Sequence, residues 1–210
     1  MFYEQNPDEN LRLGDVVRGF VITSADMRPT PSGPQPERYR IEVAQLELAV
    51  VLSPCCSIGE KTLTLTPLLK IMRTWHKNPY YVQDFTNINR PMTPEQTLPP
   101  EDLDGLSSDE RQRRLDSVEP GGSYAFVDFF VYAPHGLLPT YTIRWNGEDR
   151  AIGHYRIDFR KMYKVDCDEV VDPKNTPKRV KRLQLSIDVR KQLREKLSHY
   201  FGRPAREDEL

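Results

Sequence analysis

Three cysteines and four histidines are the side chains of this 210-residue sequence best suited to metal or nucleophilic chemistry. Cys55 and Cys56 are neighbours whose side chains point apart, Cys167 lies between Asp166 and Asp168, and no C-x-x-C pair occurs. A tetrahedral metal site needs such ligands to converge with a histidine, so the spacing predicts no metal and no other cofactor, and small buried side chains instead. A catalytic thiol needs a lowered pKa and a paired base; His76, His135 and His154 are candidates, but nothing in their spacing pairs them with a cysteine. A second group is suited to phosphate. His154, Tyr155, Arg156 and Arg160 cluster at one point of the chain, and Arg28, Arg38 and Arg40 flank a proline-rich loop. With Tyr39 and Trp75, basic and aromatic groups interleave as in proteins that grip single-stranded nucleic acid. Catalysis on a phosphate would fall to Arg38, Arg40, His154, Arg156 or Arg160. The same pattern also arises from edge-strand charges that deter strand pairing.

Charge is uneven although the net value is −1. From Asp84 to Glu119 nine acids face four arginines, whereas from Asp172 to Arg206 eleven Lys or Arg face three acids. Two solvated faces account for this. Alternatively Lys178, Arg179, Lys181 and Arg182 form a docking surface for an acidic partner or a phosphate backbone. No apolar run approaches the roughly 18 residues of a membrane span, and MFYEQNPDEN has neither the basic nor the apolar region of a signal peptide. These features, with few cysteines, predict a cytoplasmic chain without membrane partners.

The elements that would position these groups are mostly strands. Leu46 to Leu69 reads strand, turn, strand: Leu48 to Leu52 is apolar on both faces, as in a central strand covered on both sides, and Leu63 and Leu65 alternate with Thr62, Thr64 and Thr66. Before it, Leu13 to Ile22 reads as a first strand, Thr23 to Glu37 as a loop, and Arg38 to Val43 as a strand. Lys70 to Glu119 reads as a largely surface-lying insertion, with a short helix or irregular segment over Ile71 to Phe85 and a Ser107/Glu110 capping box. Tyr124 to Tyr132 and Tyr141 to Trp145 return as strands, Asn146-Gly147 predicts a type I′ hairpin turn, and Phe159 to Val165 reads as the last strand of the barrel. Ser186 caps a helix over Ile187 to Phe201 whose buried stripe is Val189, Leu193, Leu197 and Tyr200 or Phe201.

The order of these motifs resembles the MazF/PemK toxin family, with its Kid and CcdB-like relatives. GDVVRGFVI in Leu13 to Ile22, AVVLSP in Ala49 to Pro54, LTLTPL in Leu63 to Leu68, IDFRKMYKVD in Ile157 to Asp166 and the closing RLQLSIDVRKQLREKLSHYFG are similar to successive elements of that fold. The resemblance covers both ends of the chain and leaves out residues 70–119. It implies a mainly β, partly open SH3-like barrel with a helical and loop insertion at about 70–122 and a basic strand-helix extension at about 172–204. Family ribonucleases carry a phosphate-binding arginine just before the AVVLS strand and a Thr or Ser just after the third strand's proline. Here those positions hold Glu47 with Leu48, and Leu68 with Leu69. An acid repels a phosphate, and leucine moves no proton.

The resemblance with those departures implies a non-catalytic binding module. Such a module would sequester or regulate a partner protein in a bacterial stress, toxin-antitoxin or antiphage defence circuit, through Arg38, Tyr39, Arg40, Trp75, Arg160, Lys178, Arg179, Lys181 and Arg182. RNA binding and homodimerisation are compatible with it. The alternative is a metal-independent endoribonuclease toxin with a relocated site.

Overall fold

A computed structural model describes residues 1–27, 39–53, 62–77, 81, 84–92, 105–110, 113, 124–166 and 181–202, with the backbone alone at 23–27, 39–42, 44 and 166. The chain is mainly β, with antiparallel pairing throughout the described strands and a C-terminal helix. In chain order the strands are β1 (Val16–Val17), β2 (Val21–Met27), β3 (Tyr39–Gln45), β4 (Ala49–Val51), β5 (Thr62–Pro67), β6 (Leu69–Lys70), β7 (Phe129–Tyr132), β8 (Tyr141–Trp145), β9 (Glu148–Ile152), β10 (Tyr155–Asp158), β11 (Tyr163–Asp166) and β12 (Lys181–Leu183). A five-stranded sheet runs β11-β5-β4-β1-β12, a three-stranded sheet runs β6-β10-β7, and β2 with β3 and β8 with β9 form two ribbons.

β4 is the middle strand of the larger sheet, which explains its sequence. Val50 belongs to the main core on one face; Ala49 and Val51 belong on the other to a smaller core with Leu11, Val17, Phe20, Leu63 and Leu65. A strand covered on both faces has no place for polar side chains. β5 keeps its alternation, with Leu63 and Leu65 fully buried and Thr62 and Thr64 half-buried.

Several elements differ from the sequence reading. Leu13 to Ile22 is not one strand: it breaks at Arg18–Phe20, where Gly19 takes a φ of +89°. The chain thereby leaves the large sheet and enters the β2–β3 ribbon. Thr23–Met27, expected as loop, pairs in register with Tyr39–Val43. Tyr124–Asp128 is turn rather than strand, with Phe129 N–H closing on the Phe126 carbonyl. Phe159–Met162 also leaves the strand, because Phe159 and Lys161 donate their N–H groups to the Asp128 and Asp158 carbonyls. This separates β10 from β11 and places them in different sheets. Asn146 and Gly147, at φ of 51° and 84°, form the expected tight turn between β8 and β9.

Of the stretch expected to lie on the surface after Lys70, the described residues between Ile71 and Met92 are largely core. Trp75, Tyr81, Phe85, Ile88 and Met92 are buried in the main cluster, carried by 3₁₀ turns at Arg73–Lys77 and Phe85–Asn89. Asn89 clamps β7: its Nδ2 donates to the Val131 carbonyl at 2.7 Å and its Oδ1 accepts from Val131 N–H at 2.7 Å. At Ser107 the hydroxyl accepts from Glu110 N–H at 3.3 Å, the forward half of the expected capping box.

Helix α1 (Ile187–Phe201) begins where predicted, Ser186 Oγ accepting from Val189 N–H and Asp188 occupying the first turn. Val189 and Leu193 are buried, and so is Lys196, a residue absent from the predicted stripe. Lys196 lies over the Tyr124 ring and donates to the Ile88 carbonyl, tying α1 to the second 3₁₀ turn. Burial pushes its pKa well down, which Asp128 only partly offsets.

Candidate functional site

The pairing of β1 with both neighbours brings three charged residues to one place. Val17 lies opposite Ala49, so Arg18 leaves the sheet beside Leu48 and Glu47. On the other side the register shifts between the Val16–Leu183 and Val17–Lys181 pairs, and Arg182 falls in that irregularity, exposed. Arg18, Glu47, Leu48, Leu137, Pro139 and Arg182 line a cleft of about 260 Å³. Its remaining wall is the turn after β7. Buried Leu138 anchors it by donating its N–H to the His135 carbonyl, and Tyr155 Oη donates to the Pro139 carbonyl at 2.7 Å. Burial, with some help from Glu47, raises the Tyr155 pKa, keeping that hydroxyl a donor. Leu68 is buried and its N–H donates to the carbonyl of Leu48 in the cleft wall, so the position where the resemblance implies a hydroxyl holds an aliphatic chain. Leu69 pairs with Arg156 in the β6–β10 ladder.

Arg18, Glu47 and Arg182 form no ion pair, with one another or with other described residues. The arginines singled out for phosphate chemistry are placed differently. Arg160 grips Asp158 with two hydrogen bonds, Nε to Oδ1 at 2.9 Å and Nη2 to Oδ2 at 2.8 Å. It also approaches Asp128 at 3.9 Å. Arg156 reaches the same Asp158 at 3.8 Å and packs its guanidinium 4.8 Å from the Phe129 ring centre and 5.8 Å from that of Trp75. Burial alone would raise the Asp158 carboxyl, but hydrogen bonds from Arg160 and the charges of both arginines hold it below the usual range. Burial lowers the Arg156 pKa against the opposing pull of Asp158, and its Nε and Nη1 have no hydrogen-bond partner.

Trp75, expected as a stacking platform, is 1% exposed and packs against Phe126 and Phe129. Lys181, expected in a docking surface, is also buried: its Nζ reaches Asp15 at 2.7 Å and donates to Gln184 Oε1 and the Asn10 carbonyl. Burial raises Asp15 to about 6, although Lys181 opposes the shift. His154 Nε2 lies 3.7 Å from Asp84, and burial lowers its pKa despite that carboxylate. His76 is buried on the other side of Phe85, its pKa lowered by burial, Arg150 and His154. His135 is exposed, its Nδ1 accepting from Leu137 N–H.

Arg38, Lys178, Arg179, Arg28 and the three cysteines lie outside the described residues, and Tyr39 and Arg40 are described by backbone only, in β3. Among the described residues no group of three or more His, Cys, Asp or Glu is placed to hold a metal ion. No described helix is long and apolar enough to cross a membrane. Arg18, Leu137 and Pro139 were not singled out from the sequence. The one signal for Arg18 is a charge between a buried Val-Val pair and a glycine, where a strand leaves a sheet.

Comparison with known proteins gives no match to any family model, any curated protein or any solved structure.

Proposed function

We propose that this chain is a non-catalytic binding module, an open SH3-like barrel of MazF/PemK type whose cleft between β1, β4 and β12 holds a partner protein in a bacterial stress, toxin-antitoxin or antiphage defence circuit. The observation that carries this reading is Glu47 in the wall of the cleft. The resemblance puts a phosphate-binding arginine there, and a carboxylate on that wall opposes the negative charge that develops during phosphoryl transfer. Leu68, bonded through its backbone to Leu48, moves no proton. Arg160 adds support, because its two hydrogen bonds to Asp158 commit its guanidinium there.

The test has two arms. Purified protein is incubated with single-stranded RNA, with and without divalent metal, and no cleavage is expected. In cells, a photo-crosslinking residue at Leu137 is expected to trap a protein, and Leu48→Arg is expected to abolish that adduct while leaving thermal unfolding unchanged. Site-specific RNA cleavage lost on substitution of His154, Arg156 or Arg160 would overturn the reading in favour of a relocated ribonuclease site.

A further inference from the structure

The cleft's lining specifies what kind of group it takes. Two guanidiniums and one carboxylate face the same 260 Å³ space, and none has an ion-pair partner among the described residues. Elsewhere Arg12, Arg156 and Arg160 each have a carboxylate within reach: Asp8 at 2.6 Å, and Asp158 at 3.8 and 2.8 Å. Arg18 and Arg182 keep their fork-shaped donor sets available beside the apolar surfaces of Leu48, Leu137 and Pro139. Such surfaces exclude water from a bound ion pair and strengthen it.

Resting on the binding-module reading, we propose that this cleft takes the acidic side chain of a partner polypeptide, its carboxylate shared by Arg18 and Arg182. Volume argues for a single side chain, since pockets that enclose a whole small molecule run to about 300–1,000 Å³. Net lining charge favours an anion. Glu47 sharpens the choice, because it repels a second negative group close to the first. A nucleic-acid strand, with a phosphate at every nucleotide, brings that second charge; a polypeptide can present one carboxylate flanked by apolar residues that fit Leu48, Leu137 and Pro139. Glu47 can then accept a backbone N–H of the bound segment. Discrimination thus comes from two attractive groups and one repulsive group in the same wall.

The test titrates ¹⁵N-labelled protein with acetyl-Ala-Leu-Glu-Leu-Ala-amide, its Gln counterpart, and a uridine hexanucleotide, following amide shifts. The Glu peptide is expected to shift Arg18, Glu47, Leu48, Leu137 and Arg182 and to bind about tenfold more tightly than the Gln peptide, the worth of one charge-assisted contact. Arg18→Gln and Arg182→Gln are each expected to erase that preference, whereas Glu47→Gln is expected to let the hexanucleotide compete. Both arginines are exposed, and a thermal melt confirms that each variant is folded. Equal affinity for the two peptides, or shifts confined to other residues, overturns the proposal. Shifts at these residues with the hexanucleotide and not the Glu peptide overturn it in favour of a phosphate site. If the peptides fail while the Leu137 adduct still forms and is lost in Leu48→Arg, the acidic-ligand proposal falls and the binding module stands.

Discussion

Replacing Lys181 by Met would test whether the buried contact with Asp15 at the start of β1 holds β12 on the large sheet. Lys181 Nζ satisfies Asp15, Gln184 and the Asn10 carbonyl at once, and Asp15 is fully buried. Methionine fills much of the lysine volume but leaves the Asp15 carboxylate without its cation, a change that costs about 3–5 kcal/mol. The double change Asp15→Asn with Lys181→Met removes both charges and should recover much of that loss. Acidity gives an independent measure. Asp15 titrates near 6 in the fold, against 3.8 when free, so the native state binds the extra proton between those values. Stability contributed by Asp15 therefore falls as pH rises through that window, by roughly 3 kcal/mol. Urea unfolding of wild type and Asp15→Asn from pH 4 to 7 isolates this contribution, since other groups cancel in the difference. A flat difference curve, together with a Lys181→Met loss below about 1 kcal/mol, the range of an exposed pair, would show the pair to be solvated and refute the reasoning.

Other outcomes follow from the core and its joints. Val51→Asp places a charge in the small core behind β4 and should abolish cooperative unfolding; a soluble variant with unchanged Tm would sink this account of β4. Asn89→Ala orphans both Val131 backbone groups, at about 1–3 kcal/mol each, measurable by urea denaturation; a loss under 1 kcal/mol would mean that water replaces the clamp. Lys196→Met leaves the Ile88 carbonyl without its donor, at about 1–3 kcal/mol. Because burial lowers the Lys196 pKa, wild type should gain on this variant as pH rises towards 10, where the unfolded chain also loses its proton; a difference in Tm that stays constant up to that pH counts against a lowered pKa. Deleting residues 87–122 should unfold the protein, as Ile88, Asn89 and Met92 are buried; a cooperative melt from that variant would show the segment to be dispensable.

The parts legible in the sequence were those in which one local pattern and one environment agree. Ala49–Val51 reads as a doubly covered strand because both its faces are core, and α1 reads from its cap to its last turn because Ser186 and the Val189, Leu193 spacing point the same way. The misreadings share a physical origin. Prolines and aromatics between Ile71 and Met92 look like surface irregularity, yet irregular backbone can be buried when side chains satisfy it, as Tyr141 Oη does for Ile71 N–H and Lys196 Nζ for the Ile88 carbonyl. The break at Phe159 is invisible to an alternation count, because a buried Phe at a turn continues the strand pattern. Lys181 looks like one member of a basic run; only long-range pairing with β1 brings Asp15 to it. Of the cleft, Arg182 was named from its basic run and Glu47 only as a departure from what the resemblance implies, whereas Arg18, Leu137 and Pro139 converge only through tertiary structure.

The pairing of β1 with β12 also dictates when the protein can fold. Val16 and Val17 bond to strands on both sides, and one of those strands lies more than 160 residues later in the chain. The bridge from Tyr3 to Leu185 and the Lys196 contact with Ile88 repeat that separation of early from late. During synthesis one side of β1 therefore stays unpaired until β12 has left the ribosome, and the buried aromatics around Ile88 lack their helix until α1 follows. Contacts so far apart in the chain close late, which makes folding slow and leaves the edge of β1 and those aromatics uncovered until the distant segments arrive.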